Sequence, residues 1–110
     1  MALLILIQAT LAGRALFGTW SITIHGVVGN ITFSIAMLLA ALAILLKRTG
    51  LIDDKVPVVM AVALTAVLTM QIGLGYLGRD SAEAAAWHVP LGVLSFGLAI
   101  YQTTLVLKSK

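Results

Sequence analysis

The chain has 110 residues, 61% of them apolar and 10% charged, with a net charge of +3 and a mean hydropathy of +1.11. That balance excludes an ordinary soluble domain with a polar surface. It predicts an all-α integral membrane protein, one transmembrane domain over residues 1–110 with room for four helices of about 20 residues. The absence of cysteine excludes a disulfide frame, a CxxC redox pair, thiolate ligation and thioether attachment of a cofactor.

The first apolar run, Ala2 to Phe17, has the look of a signal-peptide core but lacks the basic residues that precede one. It is read as the first transmembrane helix. The turn Gly18-Thr19-Trp20 follows, with Thr19 or Ser21 placed to cap a second helix from Ser21 to Lys47. In the central loop, about 49–55, Gly50 is a natural helix stop, Asp53 or Asp54 is expected to cap the third helix, and Pro57 suits its first turn. The third helix covers Val56 to Gly78. The fourth starts near Asp80 or Ser81 and runs to about Leu107, with Pro90 expected to bend or loosen the turn carrying His88. Asp80 and Glu83 read as capping groups at its start.

Lys47, Arg48, Lys55, Lys108 and Lys110 fall at the ends of the second and fourth helices or in the central loop. Their placement is a topology signal, so no nucleic-acid partner is expected, and both termini are predicted on the cytoplasmic side of a prokaryotic plasma membrane. Trp20 and Trp87 read as headgroup anchors at the outer face. Each lies within five residues of a histidine, which sets both imidazoles near the outer boundary.

An offset of 63 residues, from His25 to His88, also superimposes Gln8 on Gln71, Leu11 on Leu74, Gly29 on Gly92, Phe33 on Phe96, Ala36 on Ala99 and Lys47 on Lys110. The chain therefore reads as a helix hairpin written twice, about 1–48 and about 56–110, making a four-helix bundle of two tandem repeats. Parallel repeats place equivalent residues on facing helices about a common axis. An ionisable side chain in hydrocarbon is costly unless partnered, so His25 and His88 are candidate metal ligands.

His25-Gly29-Phe33-Ala36 and His88-Gly92-Phe96-Ala99 step by four, four and three, which keeps each set on one helical face. Gly29 and Gly92 admit a flat macrocycle, and Phe33 and Phe96 can pack on its edge. A bare zinc or copper ion needs more nitrogen or sulfur donors than this face supplies. Haem iron needs two axial imidazoles, so one haem per chain is the expected cofactor. Arg14 and Arg79 are placed to neutralise its propionates. Gln8 and Gln71, at equivalent depths, are expected to hydrogen-bond each other, with a quinone carbonyl as the sharper alternative.

Gly73-Leu74-Gly75-Tyr76-Leu77-Gly78 satisfies GxGxxG but follows no strand, so it implies no dinucleotide site. With Thr10, Ala12 and Gly13 it reads as a small-residue surface for close helix packing. Met1, Met37, Met60 and Met70 are scattered and read as packing residues.

The pattern Gln71-Ile72-Gly73-Leu74-Gly75 on an odd helix, followed by His88 on the next and matched by Gln8 and His25 one repeat earlier, resembles the haem A synthase family. The resemblance covers nearly the whole chain and half of a typical member, which has eight helices in two four-helix halves. It implies that His25 and His88, on the second and fourth helices, are the axial ligands of that half. Family members carry a catalytic carboxylate three residues before the first histidine of the pair, where this chain has Ile22 and, one repeat on, Ala85. The expected function is accordingly one-electron transfer by a membrane b-type haem protein, a carrier or a small subunit of a larger redox complex. A quinol or an external carrier would be its partner. The alternatives are a reduced haem A synthase-like enzyme handling haem as substrate, for which homo-oligomerisation would supply a second site, and a structural or pigment-binding membrane subunit.

Overall fold

A computed structural model describes residues 1–18 and 20–108. Thr19, Ser109 and Lys110 lie outside the described residues, and with them the alternative cap at Thr19 and the match of Lys47 to Lys110. The chain is all-helical, in the order α1 (Ala2–Phe17), α2 (Ile22–Arg48), α3 (Val56–Leu77) and α4 (Ala82–Lys108).

The helix ends follow from local chemistry. Ser21 caps α2, its Oγ accepting the Thr23 amide at 3.1 Å. Gly50 adopts φ 73°, the left-handed conformation that lets the chain leave a helix without a Cβ clash. The cap of α3 is Lys55 rather than an aspartate. Asp54 nevertheless accepts the Val56 amide through Oδ1 at 2.9 Å, satisfying an orphan donor from one position further out. At the start of α4 the Ser81 Oγ accepts the Ala84 amide at 3.3 Å. Glu83 lies in the first turn of α4, where it complements the helix dipole, and also accepts the Trp87 indole N–H at 2.9 Å. Helix α4 runs without interruption through Pro90, so the ring costs the Ala86 carbonyl its donor without ending the helix.

The helices close into a ring in which α1 packs on α2 and α4, and α3 packs on α2 and α4, the α1/α4 seam being the thinnest. Ile5, Ala36, Leu64, Leu68 and Ala99 form the buried cluster, with Phe33 and Phe96 packed against it. Thr65 Oγ1 donates to the Ala61 carbonyl of its own helix at 2.8 Å and lies 3.2 Å from the Ala36 carbonyl, tying α3 to α2.

The distribution of side chains is inverted relative to a water-soluble protein. Ala36, Ala40, Ala61 and Ala99, with the hydroxyls of Thr32 and Ser95, are buried, while large aliphatics such as Leu3 and Leu38 are about 70% exposed. Small residues at helix contacts permit the close backbone approach on which helix packing in lipid relies. Helices α2, α3 and α4 are long and apolar enough to cross a membrane, and α1, at 16 residues, is shorter. Lys47, Arg48, Lys55 and Lys108 gather at the end of the ring away from the histidines, as the helix order dictates.

Candidate functional site

A cavity of about 830 Å³ opens inside the half of the ring that holds the starts of α2 and α4. Its size falls within the range of roughly 300–1,000 Å³ usual for small-molecule and cofactor sites. His25, His88, Gly29, Gly92, Phe33, Phe96 and Arg79 all line it, together with Gln8 and Gln71. Phe33 and Phe96 also touch the buried cluster, so they form the floor between cavity and core.

His25 and His88 face each other across this space with ring centroids 6.1 Å apart and planes at 86°. Each is anchored from behind. His25 Nδ1 lies 3.0 Å from the Gln8 carbonyl and His88 Nδ1 lies 2.9 Å from the Gln71 carbonyl. A carbonyl only accepts, so each imidazole carries its proton on Nδ1 and leaves the Nε2 lone pair free. An outer partner of this kind fixes the tautomer of a ligating histidine and raises its basicity.

The separation tests whether one metal fits between the rings. A metal–nitrogen bond of about 2 Å and roughly 1.1 Å from ring nitrogen to centroid, taken twice, place the centroids about 6 Å apart. The observed spacing agrees with that figure. Among the described residues no group of three or more His, Cys, Asp or Glu converges on a point, so the donor set is two imidazoles, enough for an iron whose other positions a macrocycle fills.

The glycines contribute differently from one another. A Cβ on Gly29 would fall 2.9 Å from Gln8 Nε2, and one on Gly92 would fall 2.9 Å from Gln71 Nε2. The room left by these two glycines is therefore taken by the glutamine amides, which reach across to the helix bearing the histidine. Gly75 is the residue that makes way for an imidazole, since its Cβ would lie 3.1 Å from His88 Cε1. Gly78 permits close approach to Ala85, 3.1 Å from its Cα, whereas Gly73 and Gly13 meet nothing within 4 Å. The small-residue surface thus serves contact at two of these four glycines.

Gln8 and Gln71 do not hydrogen-bond each other. Both side-chain polar atoms of Gln8, and Oε1 of Gln71, are buried without a protein partner. The two amides point along α1/α2 and α3/α4 contacts rather than across the axis. A buried amide without partners is destabilising, so in the ligand-free protein Gln8→Leu is expected to stabilise the fold by about 1 kcal/mol. The check is the thermal or denaturant midpoint. The His25 anchor should survive, because its acceptor is main chain.

Arg14 and Arg79 separate. Arg79 lines the cavity and lies over the Tyr76 ring at 4.8 Å. Arg14 is absent from the lining and stacks on Trp20 at 5.2 Å. Residues not anticipated from the sequence also shape the site. Thr32 and Ser95, again 63 positions apart, are fully buried in the wall and donate to the carbonyls of Val28 and Leu91, each at 2.8 Å. The same 63-residue offset that relates the histidines relates these two positions. Asn30 and Tyr76, joined by an Asn30 Nδ2 bond to Tyr76 Oη at 3.1 Å, have no such counterpart and left no trace in the spacing. No family model, curated protein or solved structure matches the chain, which leaves its own geometry to define the site.

Proposed function

We propose that this chain is an integral membrane four-helix bundle, built from two tandem hairpin repeats, that holds one b-type haem between His25 and His88 and serves in one-electron transfer. The single observation that carries the reading is the imidazole pair, 6.1 Å between centroids, each ring locked by a main-chain carbonyl with its Nε2 free. A haem held by His25 and His88 would supply a ferric/ferrous couple for one-electron transfer.

The chain's own residues supply the remainder. Two pre-oriented imidazoles lower the entropy cost of ligation, and the Gln8 and Gln71 carbonyls strengthen their donation. A wall dominated by aliphatic and aromatic groups excludes water, while Phe33 and Phe96 close the space toward the core. The histidines lie toward the end opposite the Lys/Arg cluster; with that cluster on the cytoplasmic side, a haem held by them would be near the outer boundary, within reach of a quinol, an external carrier or a neighbouring subunit of a redox complex.

A haem A synthase-like activity is the weaker reading. Ile22 and Ala85, at the positions where that family resemblance calls for a carboxylate, line the cavity as alkyl groups. The test is spectroscopic. Protein expressed in membranes or reconstituted with iron protoporphyrin is expected to show a sharp reduced α-band, a six-coordinate low-spin signature and a b-type pyridine haemochrome. Absence of binding, or a high-spin five-coordinate spectrum at saturation, would overturn the proposal.

A further inference from the structure

The two halves of the cavity wall, alike at the imidazoles, part company in polarity at the rim. On the α2/α3 side stand Asn30, Tyr76 and Arg79; the positions 63 residues away are Val93, Gly13 and Leu16, on the α1/α4 side. All six line the same cavity. One rim therefore carries a cation and two hydrogen-bonding groups, and its counterpart carries only alkyl groups and a bare backbone.

The polar rim is organised. Asn30 donates to Tyr76 Oη at 3.1 Å, which leaves the phenol hydrogen to donate elsewhere. The Arg79 guanidinium sits over the Tyr76 ring at 4.8 Å, and its Nη2 would be 3.7 Å from a Cβ on Gly26 of α2. Arg79 thus spans the α2/α3 seam. The only other arginine at this end, Arg14, is turned onto Trp20 and contributes nothing to the lining.

Resting on the haem-binding reading above, we infer that the Asn30–Tyr76–Arg79 rim is a one-sided anion subsite, recognising a single carboxylate at one edge of a flat ligand. A second carboxylate, if present, meets Leu16 and Val93 and gains nothing. Charge-assisted hydrogen bonds from a guanidinium and a phenol are the interactions this rim offers. The dominant specificity is therefore for one free acid, not for two.

The probes are iron mesoporphyrin as the diacid, the monomethyl ester and the dimethyl ester, titrated into detergent-solubilised protein by the Soret shift. Wild type is expected to bind the diacid and the monoester within about twofold of each other, and the diester about tenfold more weakly. Arg79→Leu should bring all three within about twofold, while Leu16→Arg should make the diacid about tenfold tighter than the monoester, by giving the second carboxylate a partner. Arg79→Lys should keep part of the discrimination. Equal wild-type affinities for diacid and diester would overturn the subsite while leaving haem binding intact, and so would discrimination that persists in Arg79→Leu. Wild-type protein that binds none of the three would overturn both readings together. Should Arg79→Leu fail to accumulate, the wild-type ester series and Leu16→Arg still decide the matter.

Discussion

Replacing His25 or His88 with alanine is expected to weaken haem binding on the order of 100-fold, since loss of a group merely supporting a metal ligand already costs about 10–100-fold. Either variant leaves one imidazole, so the residual complex should be five-coordinate and high-spin. Helix content should not change. The Gln8 and Gln71 carbonyls, which accept from the imidazoles, lie inside α1 and α3 and keep their helical donors when the ring is removed. Added imidazole should restore the six-coordinate spectrum, a rescue that a purely structural histidine would not show. Optical titration with circular dichroism on the same samples reads both quantities. Unchanged spectra in both variants would remove these residues as ligands.

The next largest effect is expected at Gly75. A Cβ there would stand 3.1 Å from His88 Cε1 and 3.5 Å from its Nδ1, and the branched methyls of valine would press into the ring. Gly75→Val should therefore swing His88 off the Gln71 carbonyl and remove one of the two imidazoles that would hold the haem, while His25 remains in place. Overpacking of this kind costs about 1–3 kcal/mol in stability. The spectroscopic mark is a shift toward a high-spin, singly ligated form, with affinity reduced at least tenfold. Gly73→Val is the control, because a Cβ at Gly73 meets nothing within 4 Å. If the two valine variants behave alike, the effect belongs to helix propensity and not to the imidazole.

Gly75 also shows where reading along the chain reaches its limit. Its place in the GxGxxG-like run identifies it as a small residue on a helix, and no more. That it yields to the ring of His88, while Gly78 yields to Ala85 and Gly73 to nothing, depends on the rotation of α3 against α4. Gly29 and Gly92 make the same point from the other side. Their position one turn past each histidine was legible, yet their space is taken by the Gln8 and Gln71 amides, contacts between helices far apart in sequence.

The caps were more legible because their partners are local. Ser21 and Ser81 bond amides two and three residues away. Asp54 differs only in reaching Val56 from outside the cap position. The arginines were not legible in this way. Arg14 and Arg79 look similar in the sequence, one near the end of each odd helix, but their neighbours Trp20 and Tyr76 draw them in different directions.

Composition and spacing were enough to specify an all-helical chain with membrane-compatible spans, the 63-residue offset between His25 and His88, and the face each shares with Gly, Phe and Ala. These properties follow from hydropathy and from the fixed pitch of an α-helix, which are present in any short stretch of chain. Packing in three dimensions alone established the distance between the imidazoles, the carbonyls that hold their protons, and the split between a polar and an apolar rim. Those features arise between residues 17 to 63 positions apart, and the relative rotation of helices that brings them together is set by the whole interior at once.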